Sequence, residues 1–451
     1  MSSTKELLTA TAQAAVSYDD TVCQQPVFPH GHNATKLHYD TINTSGHTAE
    51  DTLAELQRRA SPGLVASTGS RYFGYVVGGT LPAALAADWL VSAWDQVAST
   101  PNTSPAMHDL EAEASSWLRD LFELPDSTLI SYPTCTTTGD MICLAAARSH
   151  LLARQNWDVE AKGLWEAPRL RIVIGGEVHV TMLKALSVLG FGKDSVESVA
   201  VDEQGRMRAD CLPQLDDKTI LILQAGNVNS GAFDPFAEII PSAQAAGAWV
   251  HVDGAFGLWA SASPKLKHLT AGMWAADSLV ADGHKWLNTP YDGAITFCKH
   301  EAINRAMATV ASYFIKEDEI CAQDVTLEFS RRARGVPIWA ALHHLGRQGL
   351  TDLLERCHSL ALMFADGLRE IGIEVRNDVV LNQVIGDMPD IETRDAFLEE
   401  ISKDGTCWFG PTIWQGKPSV RISVSSWRTS EDDVRESLVA IERAWKSVQP
   451  A

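Results

Sequence analysis

Basic residues are few in this chain: 37 Lys and Arg face 57 Asp and Glu, for a formal net charge of −20 at pH 7. A surface that acidic repels phosphate backbones and anionic lipid, so neither nucleic acid nor a membrane is an expected partner. Long apolar runs are also missing, since the best candidate, residues 81–94, is interrupted by Asp88 and is too short to span a bilayer. No Cys-x-x-Cys spacing occurs among Cys23, Cys135, Cys143, Cys211, Cys298, Cys321, Cys357 and Cys407, which argues for reduced thiols rather than a disulfide framework or a zinc site. His30, His32, His343 and His344 have no acidic or cysteine partners at ligand spacing, and no metal is expected. The leading Met1-Ser-Ser-Thr-Lys-Glu6 has neither the apolar core of a secretory signal nor the arginines of a transit peptide. The cytoplasm is the expected compartment.

What is present suffices for a real core, with 45% hydrophobic and 21% charged residues over 451 positions. The first 60 or so residues mix turn-rich stretches with a helical pattern around 53–59 and read as an arm packed on a larger body. From Ser104-Pro105, the apolar positions Ala106, Leu110, Ala114, Trp117, Leu118, Leu121 and Phe122 recur at three and four, the face of a helix with Ser at its N-cap and Pro at its first position. The middle alternates strand-like runs, Arg171-Ile-Val-Ile174, Ile220-Leu-Ile-Leu223, Trp249-Val-His-Val252, Ser278-Leu-Val-Ala281 and Ala294-Ile-Thr-Phe297, with helical segments between several of them. That alternation predicts an α/β fold with a mostly parallel sheet, whose ligands bind beyond the carboxyl ends of its strands. The last hundred residues read as a smaller α+β domain: a helix over about 351–371, a strand at Glu374-Val375-Arg376, a hairpin over 406–426 turning at Gln415-Gly416, and a closing helix over 431–445. The expected division is an arm over 1–70, a large domain over 71–345 and a small domain over 346–451.

Chemistry concentrates at the strand ends. Asp253 closes one strand and precedes Gly254-Ala-Phe-Gly257, where the backbone can approach a ligand closely. Lys285, in Ala281-Asp-Gly-His-Lys-Trp286, follows another strand 32 residues later. Thr134-Cys-Thr-Thr-Thr-Gly139 feeds a helix N-terminus, a ready anion site. A lysine, a carboxylate and a phosphate holder are what pyridoxal phosphate requires. Rival signatures are missing: no G-x-G-x-x-G follows a strand, neither Gly192-Lys193 nor Gly416-Lys417 belongs to a P-loop, and H-E-x-x-H does not occur.

At these residues the chain resembles the fold-type I pyridoxal-phosphate decarboxylases of the aromatic amino acid and glutamate decarboxylase group, over roughly residues 60 to 450. His251-Val-Asp-Gly-Ala-Phe-Gly257 is similar to the family's H-V-D-A-A-[YF]-G, Gly283-His-Lys-Trp286 to its [ND]-P-H-K-W, and His179-Val-Thr-Met-Leu-Lys-Ala185 to its H-x-S-x-x-K-A. The resemblance implies that Lys285 forms the Schiff base, Asp253 pairs with the pyridine nitrogen and His179 stacks on the ring. It further places His284 by the phosphate, Thr136 and Thr137 as phosphate donors, and Asp282, Ala255 and Asn227 as cofactor contacts. His251 itself is expected to serve packing and hydrogen bonding. Asp140 stands where relatives commonly carry Asn or Thr. Tyr72-Phe73 resembles an aromatic pair at the substrate entrance, and Ser330-Arg-Arg332 a family S-R-R.

The implied reaction is loss of carbon dioxide from an L-amino acid through a quinonoid intermediate, in a homodimer with its site near the subunit interface and the arm exchanged. Relatives commonly return a proton from a tyrosine on a mobile loop before S-R-R. Residues 315–329 contain no tyrosine, and Tyr313 aligns with an earlier position, so the donor is unassigned and Cys321 is the reactive group left there. The alternatives are a carbon–carbon lyase or aldolase acting on β-hydroxy amino compounds, and an aminotransferase in which Arg421 holds a carboxylate. The segment 315–329 is expected to be an exposed lid.

Overall fold

In a computed structural model of the chain, residues 3–29, 41–42, 44–309 and 320–449 are described. Four helices come first: α1 (Thr4–Thr21), α2 (Ala49–Ala60), α3 (Pro82–Trp94) and α4 (Pro105–Leu121). The central body follows as β1 (Leu129–Ser131), α5 (Thr136–Arg154), α6 (Val159–Lys162), β2 (Arg171–Gly175), α7 (Val180–Val188), β3 (Val196–Val199), β4 (Thr219–Gln224), α8 (Phe236–Ala245), β5 (Trp249–Asp253), β6 (Ser278–Asp282), β7 (Ala294–Cys298) and α9 (Ala302–Met307). The chain closes with α10 (Gly335–Ile371), β8 (Gln383–Asp387), α11 (Ile391–Asp404), β9 (Gly410–Trp414), β10 (Lys417–Ser423) and α12 (Glu431–Val448).

Seven strands form one sheet in the order β1-β7-β6-β5-β4-β2-β3, parallel from β6 through β3 and antiparallel on both sides of β7. Strands β4, β5, β6 and β7 are buried at every residue, as continuous apolar runs covered on both faces should be. The small sheet, β8-β10-β9, is antiparallel. Its hairpin turns on Gln415-Gly416, both at positive φ as a two-residue turn requires.

Strands β1 and β3, absent from the sequence reading, are the two edges of the large sheet; three residues in one and Val-Glu-Ser-Val in the other give no apolar run to detect. The strand expected at 374–376 is a single bridge, Val375 to Gly386, because the Asn377 side chain accepts the Ile385 N–H at 2.9 Å and interrupts the ladder. Helix α1, also unanticipated, starts on a Ser3–Glu6 capping box and has no buried residue. Ser104 sits at the N-cap of α4, but its hydroxyl meets Gln96 Oε1 at 3.3 Å instead of capping. Helix α10 begins 16 residues before the expected start and breaks at Gly346, where φ is 58° and ψ −173°. Among the described residues no helix is long and apolar enough to cross a membrane.

Candidate active site

The side chains named above gather at one end of the large sheet. Asp253 is the last residue of β5 and Asp282 the last of β6; Lys285 follows three residues on. His179 is the N-cap of α7 after β2, and Thr136 opens α5 after β1, which runs parallel to β6 because both oppose β7. The backbone here is packed too closely for side chains. A Cβ on Gly254 would lie 2.8 Å from the Leu258 Cβ and 3.0 Å from the Val280 carbonyl oxygen, which accounts for glycine where the family pattern has alanine.

Lys285 Nζ lies 3.0 Å from Asp282 Oδ2, with the lysine side chain 20% exposed. Burial alone would lower the Lys285 pKa, but Asp282 and Asp253 outweigh it and hold the ammonium above its ordinary value. Asp282 is the counterpart: burial works against its charge, and Lys285 and His284 still hold its carboxyl low. Asp253 is governed by burial, which raises it against the opposing pull of His179 and Lys285. Burial lowers His179, whose Nδ1 meets Thr181 Oγ1 at 2.6 Å. Asp253 Oδ1 accepts the Ala255 N–H at 3.1 Å, and the Ala255 carbonyl accepts the Asp282 N–H at 2.8 Å, so Ala255 ties the two carboxylate-bearing strand ends together. No protein hydrogen bond among the described residues goes to Asp253 Oδ2.

The donor set fits a pyridoxal phosphate group. At the head of α5 the Thr136 N–H is taken by Asp282 Oδ1 at 2.7 Å, while among the described residues the buried Thr136 hydroxyl has no partner at hydrogen-bond geometry. Thr137 is the next residue of that first turn, half-buried. His284 donates from Nδ1 to the Gly293 carbonyl at 3.1 Å, turns Nε2 toward Asp282 at 3.6 Å, and stacks on Tyr291 with ring centroids 4.2 Å apart. The protein can supply an uncompensated carboxylate oxygen, a lysine and an orphaned hydroxyl at a helix N-terminus, which suit the ring nitrogen, the aldehyde and the phosphate of that molecule respectively.

Other expectations are placed elsewhere. Asn227 spends its amide on its own surroundings, donating to the Glu177 carbonyl and Gln224 Oε1 and accepting from the Asn229 and Ser230 N–H groups. Phe73 is not at an entrance: it is 1% exposed in the core, edge-on to Phe364. Tyr72 stacks on Trp408 at 5.3 Å, with Tyr75 on the same indole. Arg331 of the S-R-R segment forms a buried bidentate pair with Glu111, and Arg332 pairs with Asp88, so both are spent on structure. Residues 315–319 and Tyr313 lie outside the described residues, as do His30 and His32. The described remainder of the expected lid is partly anchored: Cys321, Val325 and Thr326 are buried around a short 3-10 turn, Ala322–Asp324, while Ile320 and Leu327 are exposed. The sequence reading missed Tyr291, because nothing local in the chain marks its ring as a stacking partner for His284.

Residues 32–386 match the family described as the pyridoxal-dependent decarboxylase conserved domain. Among curated relatives, tryptophan decarboxylase 1 of Oryza sativa subsp. japonica is 24% identical over 434 residues, covering 87% of this chain and 83% of that protein. L-2,4-diaminobutyrate decarboxylase of Rhizobium meliloti is 26% identical over 383 residues, covering 79% and 74%. The crystal structure of Oryza sativa TDC with PLP and tryptamine superposes with a TM-score of 0.88 at 22% identity, over 99% of this chain and 98% of that one. Family match, sheet order and donor set agree, and the chain belongs to the pyridoxal-dependent decarboxylase family, carboxy-lyases whose cofactor is pyridoxal 5′-phosphate.

Proposed function

We propose that this protein removes the α-carboxylate of an L-amino acid. The observation that carries the proposal is the lysine held between two strand-end carboxylates, Asp282 at 3.0 Å and Asp253, beside an orphaned hydroxyl at the head of α5. The bound cofactor supplies an aldehyde for the substrate amine and a protonated ring that accepts electrons from the α-carbon. Lys285 would hold the aldehyde, Asp253 would keep the proton on the ring nitrogen, His179 and Ala255 would border the ring, and Thr136, Thr137 and His284 would take the phosphate, with Asp282 orienting Lys285 and His284.

A second reading, aminotransfer, is favoured by Arg421 on β10. Its guanidinium donates to the Val228 carbonyl at 3.0 Å, pairs with no carboxylate among the described residues, and acts electrostatically on His179. A cation so placed can hold a substrate carboxylate, whereas decarboxylation favours a poorly solvated one. Incubation with a panel of L-amino acids and β-hydroxy amino acids separates the outcomes: amine with carbon dioxide for decarboxylation, oxo acid for aminotransfer, aldehyde with glycine for carbon–carbon cleavage. Turnover without carbon dioxide release would overturn the proposal.

We further infer a cytoplasmic homodimer with its site near the subunit interface and the arm exchanged. Supporting it are Trp89, Leu90 and Trp94 on α3, each more than 40% exposed, the absence of any buried residue on α1, and eight cysteines without a disulfide. We also propose that the large domain ends at residue 345 and the small one begins at 346, a division supported by the break in α10 at Gly346. A fully active monomer in sedimentation would refute the dimer.

A further inference from the structure

Near the strand-end carboxylates lies a group of side chains with no part in the scheme above. Asp140 on α5 and His251 on β5 are both 0% exposed, and Asp140 Oδ1 meets His251 Nε2 at 3.1 Å. The other ring nitrogen, Nδ1, meets Ser278 Oγ at 2.9 Å, and that hydroxyl also accepts the Trp249 indole N–H at 3.0 Å. Asp140 Oδ2 is buried with no hydrogen-bond partner among the described residues. An ionised carboxylate with one oxygen stripped of every donor is costly in a dry interior; a neutral acid needs only to place its single O–H.

Charge balance leads the same way. The charged and titratable groups that reach Asp140 are Asp253 from β5, Asp282 from β6, Lys285 beyond β6 and Cys135 at the foot of its own helix, with Cys143 one turn further along and His251 in contact. Two carboxylates and one ammonium already meet there, and a third anion would have no counter-ion. Burial, reinforced by Asp253 and Asp282, holds the Asp140 carboxyl well above the usual carboxylate range. Burial also takes His251 down to about 3, so the ring is neutral at physiological pH.

We propose that Asp140 is a neutral carboxylic acid that donates its proton to His251 Nε2 and, through that ring, positions Asp253 as the single anion offered to the pyridine nitrogen. His251 and Asp253 are two residues apart on β5 and so share a face. The donated proton sets the tautomer: Nε2 accepts, and Nδ1–H donates to Ser278 Oγ, which β6 places opposite His251 in register. The ring is thereby anchored to α5 on one side and β6 on the other, one step before the residue whose Oδ2 is left open. Asp140 acts through His251 and is a positioning residue. The role given to Asp253 rests on the function proposed above; the protonation state of Asp140 does not.

Infrared difference spectroscopy on the cofactor-free protein, wild type minus Asp140→Asn at pH 7, is the direct test. The carbonyl stretch of a protonated carboxylic acid should be present in the wild type and lost in the variant; its absence from the wild type overturns the proposal whether or not the protein binds pyridoxal phosphate. Stability gives a second readout. An unfolded Asp ionises above pH about 3.9 while the folded Asp140 keeps its proton, so folding takes one up, and the wild-type folding constant relative to Asp140→Asn should fall about ten-fold per pH unit from there to the folded pKa. A ratio that stays flat or rises with pH means an anionic Asp140. Positioning is read from cofactor affinity: Asp140→Ala, which leaves Nε2 without a donor in a dry site, should weaken it about ten-fold, and Asp140→Asn, whose amide can serve Nε2, should restore most of it. Equal affinity in Asp140→Ala and the wild type would reduce the pair to packing.

Discussion

Replacing Arg331 by methionine separates a catalytic role for Ser330-Arg-Arg332 from a scaffolding one. The guanidinium is 0% exposed and its Glu111 partner 8%. Its two bonds to Glu111 measure 2.7 and 2.9 Å, and it also donates to the carbonyls of Ala98 at 2.7 Å and Tyr132 at 3.2 Å. Together these join the segments flanking α3, β1 and α10 to the body of α4. Methionine keeps most of the stem but leaves the Glu111 carboxylate with the Gly335 N–H alone, at 3.0 Å. Breaking a buried pair from one side costs about 3–5 kcal/mol, and each orphaned carbonyl adds about 1–3 kcal/mol where water does not enter. Against a total stability of about 5–15 kcal/mol this is a large share. With an unfolding entropy of about 2.1 cal/mol/K per residue, a chain of 451 residues shifts by about 1 °C per kcal/mol, so the pair alone corresponds to a fall in melting temperature of about 3–5 °C. Scanning fluorimetry should show that fall in Arg331→Met and a partial recovery in Arg331→Met/Glu111→Leu, where no buried charge is stranded, with turnover per folded molecule preserved in the double variant. A single variant that melts with the wild type yet loses turnover would refute the scaffolding role, and so would a double variant no better than the single one.

Borohydride treatment of the pyridoxal-phosphate-loaded protein should fix the cofactor's mass on the peptide carrying Lys285, and Lys285→Ala should bind it loosely and lose turnover; a colourless protein that takes up none sinks the assignment. Because Asp282 and Asp253 hold the Lys285 ammonium above its ordinary pKa against burial, and only the neutral amine attacks an aldehyde, capture of the cofactor by apoprotein should speed up as pH rises. Stopped-flow absorbance should show Asp282→Asn capturing faster than wild type at pH 7, and equal rates would remove Asp282 as the controlling charge. Cys321 is 2% exposed and starts the 3-10 turn after its N–H reaches Asp324 Oδ2 at 3.0 Å, so Cys321→Ser should leave kcat within about two-fold and affect chiefly the melting temperature; a ten-fold loss of kcat at unchanged KM would restore the thiol as proton donor.

The sheet interior was legible because strands buried on both faces must be continuously apolar. Ile220 to Leu223 and Trp249 to Val252 can be read as strands without knowing their neighbours. Edge strands carry no such compulsion, and Val196-Glu-Ser-Val199 reads as polar coil until Ile172 is seen opposite it. The site was legible for the complementary reason: Asp253 and Asp282 are polar residues at the points where apolar runs stop. What stayed hidden depends on distant contacts. Nothing near Asp140 in the chain announces His251, 111 residues away, and nothing near Arg331 announces Glu111. Phe73 was misplaced because an aromatic pair looks the same in sequence whether both rings line an opening or one of them enters the core.

The same burial that makes the site costly to build gives the cofactor its hold on the fold. Asp253 is 5% exposed, its Oδ2 has no donor among the described residues, and burial raises its pKa, so without a cation above it the carboxylate lacks a counter-charge that Lys285, already 3.0 Å from Asp282, supplies only in part. The Thr136 hydroxyl is orphaned in the same way at the other end. A molecule with a protonated ring nitrogen and a phosphate would satisfy both deficits at once, and whatever binds the folded state alone stabilises it by RT times the logarithm of one plus its free concentration over Kd. In the proposed site, affinity for the cofactor and stability of the sheet ends are therefore coupled, through how few donors the protein itself provides to Asp253 and how few acceptors to the Thr136 hydroxyl.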